Sequence, residues 1–303
     1  PHGPSANPYP PPRRRMALNA APISAPKLAI IAGGGELPAR LVASCRAAGR
    51  ECFVLALQGH ADPKQIPADV EQAWIRLGAA GRGLRLMREA GVAELVMAGP
   101  VRRPTVMELR PDWRTALFFA KVGLKALGDD GLLRAIIGEL EEEGFRVVGI
   151  DSILGDLLAP AGVWGQIRPD SQAEADIARG LEVLRSLGTL DIGQAVVVQQ
   201  GIVLGVEAVE GTAALIERCG SLRRDGPGGV LVKIAKPGQE RRADLPTVGN
   251  LTVRQARAAG LRGIAVEAGN TLVVGRQEML AEAEAARLFI IGVGTESPDP
   301  SNL

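Results

Sequence analysis

Charged side chains are concentrated between Lys233 and Gly249, where the chain reads Lys-Ile-Ala-Lys-Pro-Gly-Gln-Glu-Arg-Arg-Ala-Asp-Leu-Pro-Thr-Val-Gly. This stretch combines two lysines, two arginines and a glutamine with two acidic residues, Glu240 and Asp244. Basic side chains suit phosphate oxygens, and a nearby carboxylate suits a divalent metal ion or a water molecule. Its prolines predict a loop of fixed shape rather than a helix. Taken alone, the stretch fits a phosphate site and a solvated surface loop equally well.

The elements before this loop follow a regular alternation. Residues 1–26 are rich in proline and predict a disordered tail, whereas residues 27–155 alternate apolar strands with amphipathic helices. This alternation predicts an α/β fold with a Rossmann-like N-terminal domain. The expected strands are Lys27–Ala32, Cys52–Leu57, Glu94–Ala98 and Arg146–Ile150, and the expected helices are Glu36–Ala48, Gly81–Ala90, Trp113–Leu127 and Leu132–Glu143.

The second half of the chain mixes hairpins with helices. Residues 156–169 predict a linker, residues 170–294 an α+β C-terminal catalytic domain, and residues 295–303 a second disordered tail. Two hairpins are expected, Ala195–Val198 with Ile202–Ala208 and Gly263–Glu267 with Thr271–Val274. The other expected elements are the helices Gln172–Leu187, Thr212–Arg218, Leu251–Ala259 and Gln277–Arg287 and the strands Gly229–Ala235 and Leu288–Val293.

Three consecutive glycines, Gly33–Gly35, lie between the first strand and the first helix. A strand, a glycine turn and a helix N-terminus often form a phosphate- or nucleotide-binding corner, which makes Gly34 and Gly35 candidate contacts. The match to the dinucleotide fingerprint is incomplete, because Pro38 stands where the third glycine belongs. The alternative is a tight turn that serves only to reverse the chain.

Two further groups of polar residues end a strand or precede a helix. Arg102 and Arg103 follow the strand Glu94–Ala98, at the sheet edge where ligands gather in doubly wound folds, although both could be ordinary surface residues. Of the pair Asp129 and Asp130, one is expected to cap the following helix. The other is then a candidate site residue, and Asp130 is retained as such.

Composition excludes several classes of protein. A net charge of +1 and 3% aromatic residues argue against a nucleic-acid partner. Three widely spaced cysteines predict free thiols in a reducing compartment, and two histidines are too few for a histidine-rich zinc centre. Since no apolar run approaches the ~20 residues that span a bilayer, a cytoplasmic protein is expected.

Six short motifs occur along the chain in a defined order. They are Ala32-Gly33-Gly34-Gly35-x-Leu37-Pro38, Gly128-Asp129-Asp130, Leu190-Asp191-Ile192-Gly193-Gln194, Glu207-Ala208-x-Glu210-Gly211-Thr212, Lys236-Pro237-x-Gln239 and Arg242-x-Asp244-Leu245-Pro246-Thr247. Together they resemble the metal-dependent, two-domain UDP-2,3-diacylglucosamine pyrophosphatases of lipid A biosynthesis, from Lys27 to Val293. Pro100 departs from the asparagine that this family favours after the glycine, and loses any side-chain contact made there.

The resemblance implies hydrolysis of UDP-2,3-diacylglucosamine to UMP and 2,3-diacylglucosamine 1-phosphate (lipid X), with Mg²⁺ or Mn²⁺ as cofactor. It implies that Asp244 is essential, as metal ligand or water-orienting base, with Asp191 as a second candidate metal ligand. An acylated substrate further implies peripheral contact with the cytoplasmic face of the inner membrane, and a homodimer is expected from the prevalence of symmetric oligomers. The candidate substrate-binding residues are Gly34, Gly35, Arg103, Asp130, Gln194, Lys233, Lys236, Gln239, Arg242 and Thr247.

Two other functions are compatible with the same residues. A nucleotide-binding oxidoreductase or transferase would use the Gly33–Gly35 corner without a metal, and a non-catalytic UDP-sugar lipid carrier would share the basic residues without needing Asp244. The helix Trp113–Leu127, with Phe118 beside Phe119, could form a wall for acyl chains, although a core helix needs the same residues.

Overall fold

The computed structural model describes residues 25–102, 109–123 and 129–294. Most of the first predicted tail, the whole of the second and the candidate Arg103 therefore lie outside the described residues. Within these three ranges, no helix is both long and apolar enough to cross a membrane. The described part belongs to the expected α/β class, because parallel strands alternate with helices in both halves.

The first half contains a five-stranded sheet in which all strands are parallel, in the order β3-β2-β1-β4-β5. Its strands are β1 (Leu28–Ala32), β2 (Cys52–Leu57), β3 (Glu71–Ile75), β4 (Glu94–Ala98) and β5 (Arg146–Val147). Its helices are α1 (Leu37–Ala47), α2 (Ala80–Glu89), α3 (Trp113–Val122) and α4 (Asp129–Glu142). The strand order reverses between β1 and β4, and such a reversal opens a crevice at the carboxyl ends of the strands.

Helices cover both faces of this sheet, which explains the almost continuous apolar runs of its central strands. Successive side chains along a strand point to opposite faces. Ile30 accordingly packs in the core cluster that contains Leu41 of α1. Ala29 packs in the opposite cluster, with Leu84 of α2.

The second half contains a six-stranded mixed sheet in the order β6-β13-β11-β9-β7-β8. Strands β9, β11 and β13 are parallel, whereas β6 and β7 run antiparallel to their neighbours and β7–β8 is the expected hairpin. Its strands are β6 (Gly162–Trp164), β7 (Ala195–Gln199), β8 (Ile202–Val206), β9 (Val230–Lys233), β11 (Gly263–Glu267) and β13 (Phe289–Val293). Its helices are α5 (Ser171–Gly188), α6 (Gly211–Ser221), α7 (Asn250–Ala258) and α8 (Arg276–Ala285).

The predicted hairpin between Gly263–Glu267 and Thr271–Val274 is wrong. β11 belongs to the six-stranded sheet, whereas β12 (Leu272–Val274) pairs in parallel with β10 (Thr247–Gly249) in a separate two-stranded sheet. The turn between them is tied to other parts of the chain, because the Ala268 N–H donates to the Val293 carbonyl. The short turn between β11 and β12 favours a hairpin in the sequence, but in the structure it carries the chain from the six-stranded sheet to the two-stranded sheet.

Three other boundaries differ from the sequence prediction. The predicted linker of residues 156–169 contains β6, which pairs with β13 and so belongs to the second sheet. The strand expected at Arg146–Ile150 ends at Val147, and a 3₁₀ turn over Ile150–Ser152 follows. Helix α4 already includes Asp129 and Asp130, so the prediction that the helix starts at Leu132, after a capping aspartate, is wrong.

The two halves share one core cluster. Ala32, Leu37 and Ala98 of the first half pack in the same cluster as Leu245 and Leu272 of the second. Leu245 directly follows Asp244 in the chain, so this packing anchors one end of the charged loop against the first sheet. The loop therefore lies where the two halves meet.

Candidate active site

The charged loop runs from the end of β9 to β10 and rests on helix α4. The Asp130 carboxylate accepts a hydrogen bond of 2.7 Å from the backbone N–H of Glu240. The Arg134 guanidinium, one turn further along α4, donates to the Gly238 carbonyl and to Asp130. Asp130 therefore belongs to the site region, but as a support for the loop backbone.

Asp244 is half-buried, and the loop itself orients its carboxylate. The Gln239 amide nitrogen donates to Oδ2 of Asp244 over 2.5 Å, and the Gln239 amide oxygen accepts from the Lys236 N–H over 2.8 Å. Gln239 is only 8% exposed. The amide thus connects the two ends of the loop segment from Lys236 to Asp244.

Lys233 lies at the end of β9 and is almost fully buried. Its ammonium group donates to Oγ1 of Thr212 at 3.0 Å and to the carbonyl of Thr247 at 3.2 Å. Thr212 in turn donates to the buried Glu207 carboxylate at 2.9 Å. Burial lowers the pKa of Lys233, while the negative charges of Glu207 and Asp244 oppose this shift. The buried side chain of Lys233 therefore lies within electrostatic reach of the candidate catalytic carboxylate of Asp244.

Lys236 forms an ion pair with Asp191, the second candidate metal ligand. The Asp191 backbone has a φ of 58°, in the left-handed region that aspartate adopts more readily than most residues other than glycine. The structure therefore brings Asp191 to the loop, but as the partner of a lysine ammonium group.

Arg242, a candidate substrate-binding residue, is held by the carboxylates of Glu240 and Glu141. Its guanidinium donates two bonds of 2.9 Å to Glu240 and one of 2.6 Å to Glu141 on α4. Hydrogen bonds from Arg242 lower the pKa of Glu240, and the same contact raises the pKa of Arg242. The Glu240 side chain is 16% exposed, so this acidic residue of the charged loop is largely shielded from solvent and paired with Arg242.

The glycine corner is closed by the loop that follows β4. The Gly33 N–H donates to the Ala98 carbonyl at 2.8 Å, and the Gly34 N–H donates to the Pro100 carbonyl at 2.9 Å. Gly99 has a φ of +89°, and a Cβ there would lie 2.0 Å from the Gly34 carbonyl oxygen. Two N–H groups that a phosphate cradle would use are therefore already bonded, which favours the tight-turn alternative.

Gln194 and Thr247 lie beside Lys233. The Gln194 N–H donates to Glu207 at 3.1 Å, and its carbonyl accepts from the Ile234 N–H at 3.0 Å. Its side-chain oxygen is buried and has no hydrogen-bond partner in the described part of the chain. Thr247 contributes its carbonyl to Lys233, as described above, and its hydroxyl donates to the Leu245 carbonyl at 3.2 Å.

Comparison with known proteins decides the family. The LpxI N-terminal domain model matches residues 27–157, and the LpxI C-terminal domain model matches residues 160–291. The UDP-2,3-diacylglucosamine pyrophosphatase LpxI of Caulobacter vibrioides is 41% identical over 276 residues, which cover 88% of this chain and 97% of the relative. The chain belongs to the LpxI family. The two LpxI domain models leave residues 158–159 between them.

Asp244 is the candidate ligand for a divalent metal ion in this LpxI-family chain. No group of three or more histidine, cysteine, aspartate or glutamate side chains that could hold a metal is present within the described ranges. Mg²⁺ commonly keeps several waters and binds one or two carboxylates together with substrate phosphates. Asp244 fits such a shared ion, with the substrate supplying the remaining oxygens, whereas Asp191 is occupied by Lys236.

Sequence reasoning did not assign a role to three residues of the site. Glu207 and Thr212 support Lys233, and Arg134 holds the loop backbone. Glu207 and Thr212 belong to one of the six LpxI-like motifs, so their place in the sequence carried a signal. Nothing in the sequence indicated a role for Arg134, because its partner, the Gly238 carbonyl, lies 104 residues away in the chain.

Proposed function

We propose that this protein hydrolyses the pyrophosphate bond of UDP-2,3-diacylglucosamine to UMP and 2,3-diacylglucosamine 1-phosphate, a step of lipid A biosynthesis. The observation that carries the proposal is the match of both halves to LpxI domains, together with a 41% identical relative named as a UDP-2,3-diacylglucosamine pyrophosphatase. The α/β architecture with the first sheet in the order β3-β2-β1-β4-β5 supports a Rossmann-like N-terminal domain within that proposal.

The residues of the loop have the charges that this reaction needs. A pyrophosphate diester carries two negative charges, so its hydrolysis requires charge neutralisation, a positioned water and in-line geometry. Lys233 and Lys236 place two ammonium groups at one end of the loop, and Asp244 places a carboxylate at the other. In this proposal the lysines offset the charge on the phosphates and Asp244 orients the attacking water.

Mg²⁺ or Mn²⁺ is the proposed cofactor, with Asp244 as its protein ligand. A bound divalent ion would polarise a phosphoryl oxygen and lower the pKa of a bound water. Asp244 would then hold the ion against the substrate, while Gln239 keeps the carboxylate in place.

A groove lined by residues of two helices of the first half is the proposed place for an acyl chain. It has a volume of about 290 Å³ and lies between α3 and α4, with Phe118, Val122 and Ala135 among its lining residues. Helix α4 also carries Asp130 and Arg134, which contact the loop, so groove and loop share one support. Because the substrate is acylated, we also propose peripheral contact of the protein with the inner membrane. We further propose a homodimer, since symmetric dimers are the commonest oligomers of soluble proteins.

The decisive experiment is incubation of the purified protein with UDP-2,3-diacylglucosamine, with and without EDTA, followed by detection of UMP. We expect UMP release with Mg²⁺ or Mn²⁺, a large loss of rate in EDTA and recovery when the metal is added back in excess. Tight binding of intact substrate without cleavage under all metal conditions would instead identify a carrier. A nucleotide-dependent oxidoreductase would bind NAD(P) without metal, which calorimetry would detect.

A further inference from the structure

Gln239 was expected to bind substrate, but both ends of its side-chain amide bind the protein. The amide oxygen accepts from the Lys236 N–H at 2.8 Å, and the amide nitrogen donates to Oδ2 of Asp244 at 2.5 Å. The Gln239 backbone N–H also donates to the Lys236 carbonyl at 3.0 Å. With 8% of its surface exposed, the side chain has little area to offer a ligand.

The hydrogen bond from the Gln239 amide to the Asp244 carboxylate is charge-assisted. A hydrogen bond with a charged acceptor is shorter and about twice as strong as one between neutral groups, and a low local dielectric strengthens it further. It fixes the plane of the Asp244 carboxylate relative to the backbone of Lys236. The ammonium group of that lysine is itself paired with Asp191.

We propose that Gln239 is a positioning residue, which orients the Asp244 carboxylate for hydrolysis and does not contact the substrate. This inference rests on the proposed function and extends it to a residue that acts only through another. Glutamine can fill this role because its amide carries both a donor for the Asp244 carboxylate and an acceptor for the Lys236 N–H. Glutamate keeps the shape and the acceptor but loses the donor, and leucine loses both.

The test compares wild type with Gln239→Leu and Gln239→Glu in the UMP-release assay at saturating Mg²⁺ and mildly alkaline pH. Loss of an outer-shell group that orients a metal ligand, the role proposed for Asp244, typically costs about 10- to 100-fold in metal affinity or activity. We expect kcat to fall by about that factor in both variants, with KM within about threefold of wild type. That combination marks an interaction that matters in the transition state rather than in substrate binding.

Gln199 supplies a matched control. It is another buried glutamine of the second half, and its amide bridges the backbone of Arg224 and the carbonyl of Pro227. Gln199→Leu should lower the melting temperature through lost hydrogen bonds while kcat of the folded protein stays at the wild-type value. A fall of kcat specific to Gln239 therefore distinguishes positioning from general destabilisation.

A double-mutant cycle keeps the proposal testable even where Gln239→Leu folds poorly. Because Gln239 acts through Asp244, Gln239→Glu should cause no further loss of residual rate in an Asp244→Ala background. Unchanged kcat in both single variants would overturn the proposal, and so would a KM increase of tenfold or more at constant kcat, which would place Gln239 on the substrate. Inactive wild-type protein would refute the proposed function itself, which separates the two failures.

Discussion

Lys233 and Asp244 lie in the same small region, and neutral groups are among the partners that hold each side chain. Thr212 and the Thr247 carbonyl hold the ammonium group of Lys233, while the Gln239 amide holds the carboxylate of Asp244. These hydrogen bonds orient both side chains, and preorganised charge is a major source of catalytic power. At the scale of residues, the proposed site is therefore oriented by contacts within the protein itself.

Replacing Asp244 should abolish activity while leaving the fold intact. Asp244→Ala removes one half-buried carboxylate, and loss of one essential electrostatic contact costs about 10²- to 10³-fold in kcat. The check is UMP release at saturating Mg²⁺, with thermal unfolding followed in parallel. Asp62→Ala, at an exposed turn of the first half, is the control and should match wild type. Near-normal turnover by Asp244→Ala would contradict the role of this carboxylate.

Helix α4 acts as the support of the charged loop at the scale of elements. Asp130 and Arg134 lie four residues apart, on one face of the helix, and both contact the loop backbone. Glu141, further along α4, binds Arg242 of the same loop. A single helix from the first half thus fixes the loop that carries the candidate catalytic residue of the second.

Removal of the Asp130 carboxylate should loosen this support. A hydrogen bond to a charged group contributes about 1.5–3 kcal/mol, so Asp130→Ala should lower kcat/KM by at least about tenfold, because the loop backbone loses its anchor at Glu240. Glu182→Ala on the exposed face of α5, where Glu182 pairs with Arg179, is the matched control and should stay within about twofold of wild type. Equal kcat/KM values for the two variants would refute the supporting role.

The elements differ in how well the sequence predicts them, for physical reasons. The β7–β8 hairpin was predicted correctly because Gln200 and Gly201 form a two-residue turn, with φ values of 52° and 76°. β3 was missed because Glu-Gln-Ala-Trp-Ile lacks an apolar run, and it lies at the edge of its sheet. The β11–β12 hairpin was wrongly predicted because closeness in sequence hides a change of sheet.

The candidate site, like the secondary structure, could be predicted from the sequence only in part. The charged loop was recognised from residue types, and the motif containing Asp244 from its resemblance to a family. The partners of its arginines could not be predicted, because Glu141 lies 101 residues from Arg242 and only the folded chain brings them together. The occupied N–H groups of Gly33 and Gly34 depend on the β4 loop, which also follows only from the fold.

At the scale of the whole molecule, the shared core makes the two halves depend on each other. Leu272 of β12 is 1% exposed and packs in the cluster that contains residues of β1, α1 and β4. Its N–H donates to the Pro246 carbonyl at 2.8 Å, two residues after Asp244. Packing between the halves and the geometry of the loop are therefore set by the same side chains.

Truncation of Leu272 should consequently destabilise the protein as one unit. Leu→Ala at a fully buried site costs about 2–5 kcal/mol, so Leu272→Ala should lower the melting temperature within a single cooperative transition. Leu222→Ala, at a 47% exposed position, should change stability by no more than about 0.5 kcal/mol. Scanning calorimetry distinguishes the outcomes, because independent halves would unfold in two transitions, of which only the one belonging to the second half would shift. A single transition that shifts as a whole would show that the two halves unfold together through their shared core. The loop that carries Asp244 would then lose its structure only when the whole protein unfolds.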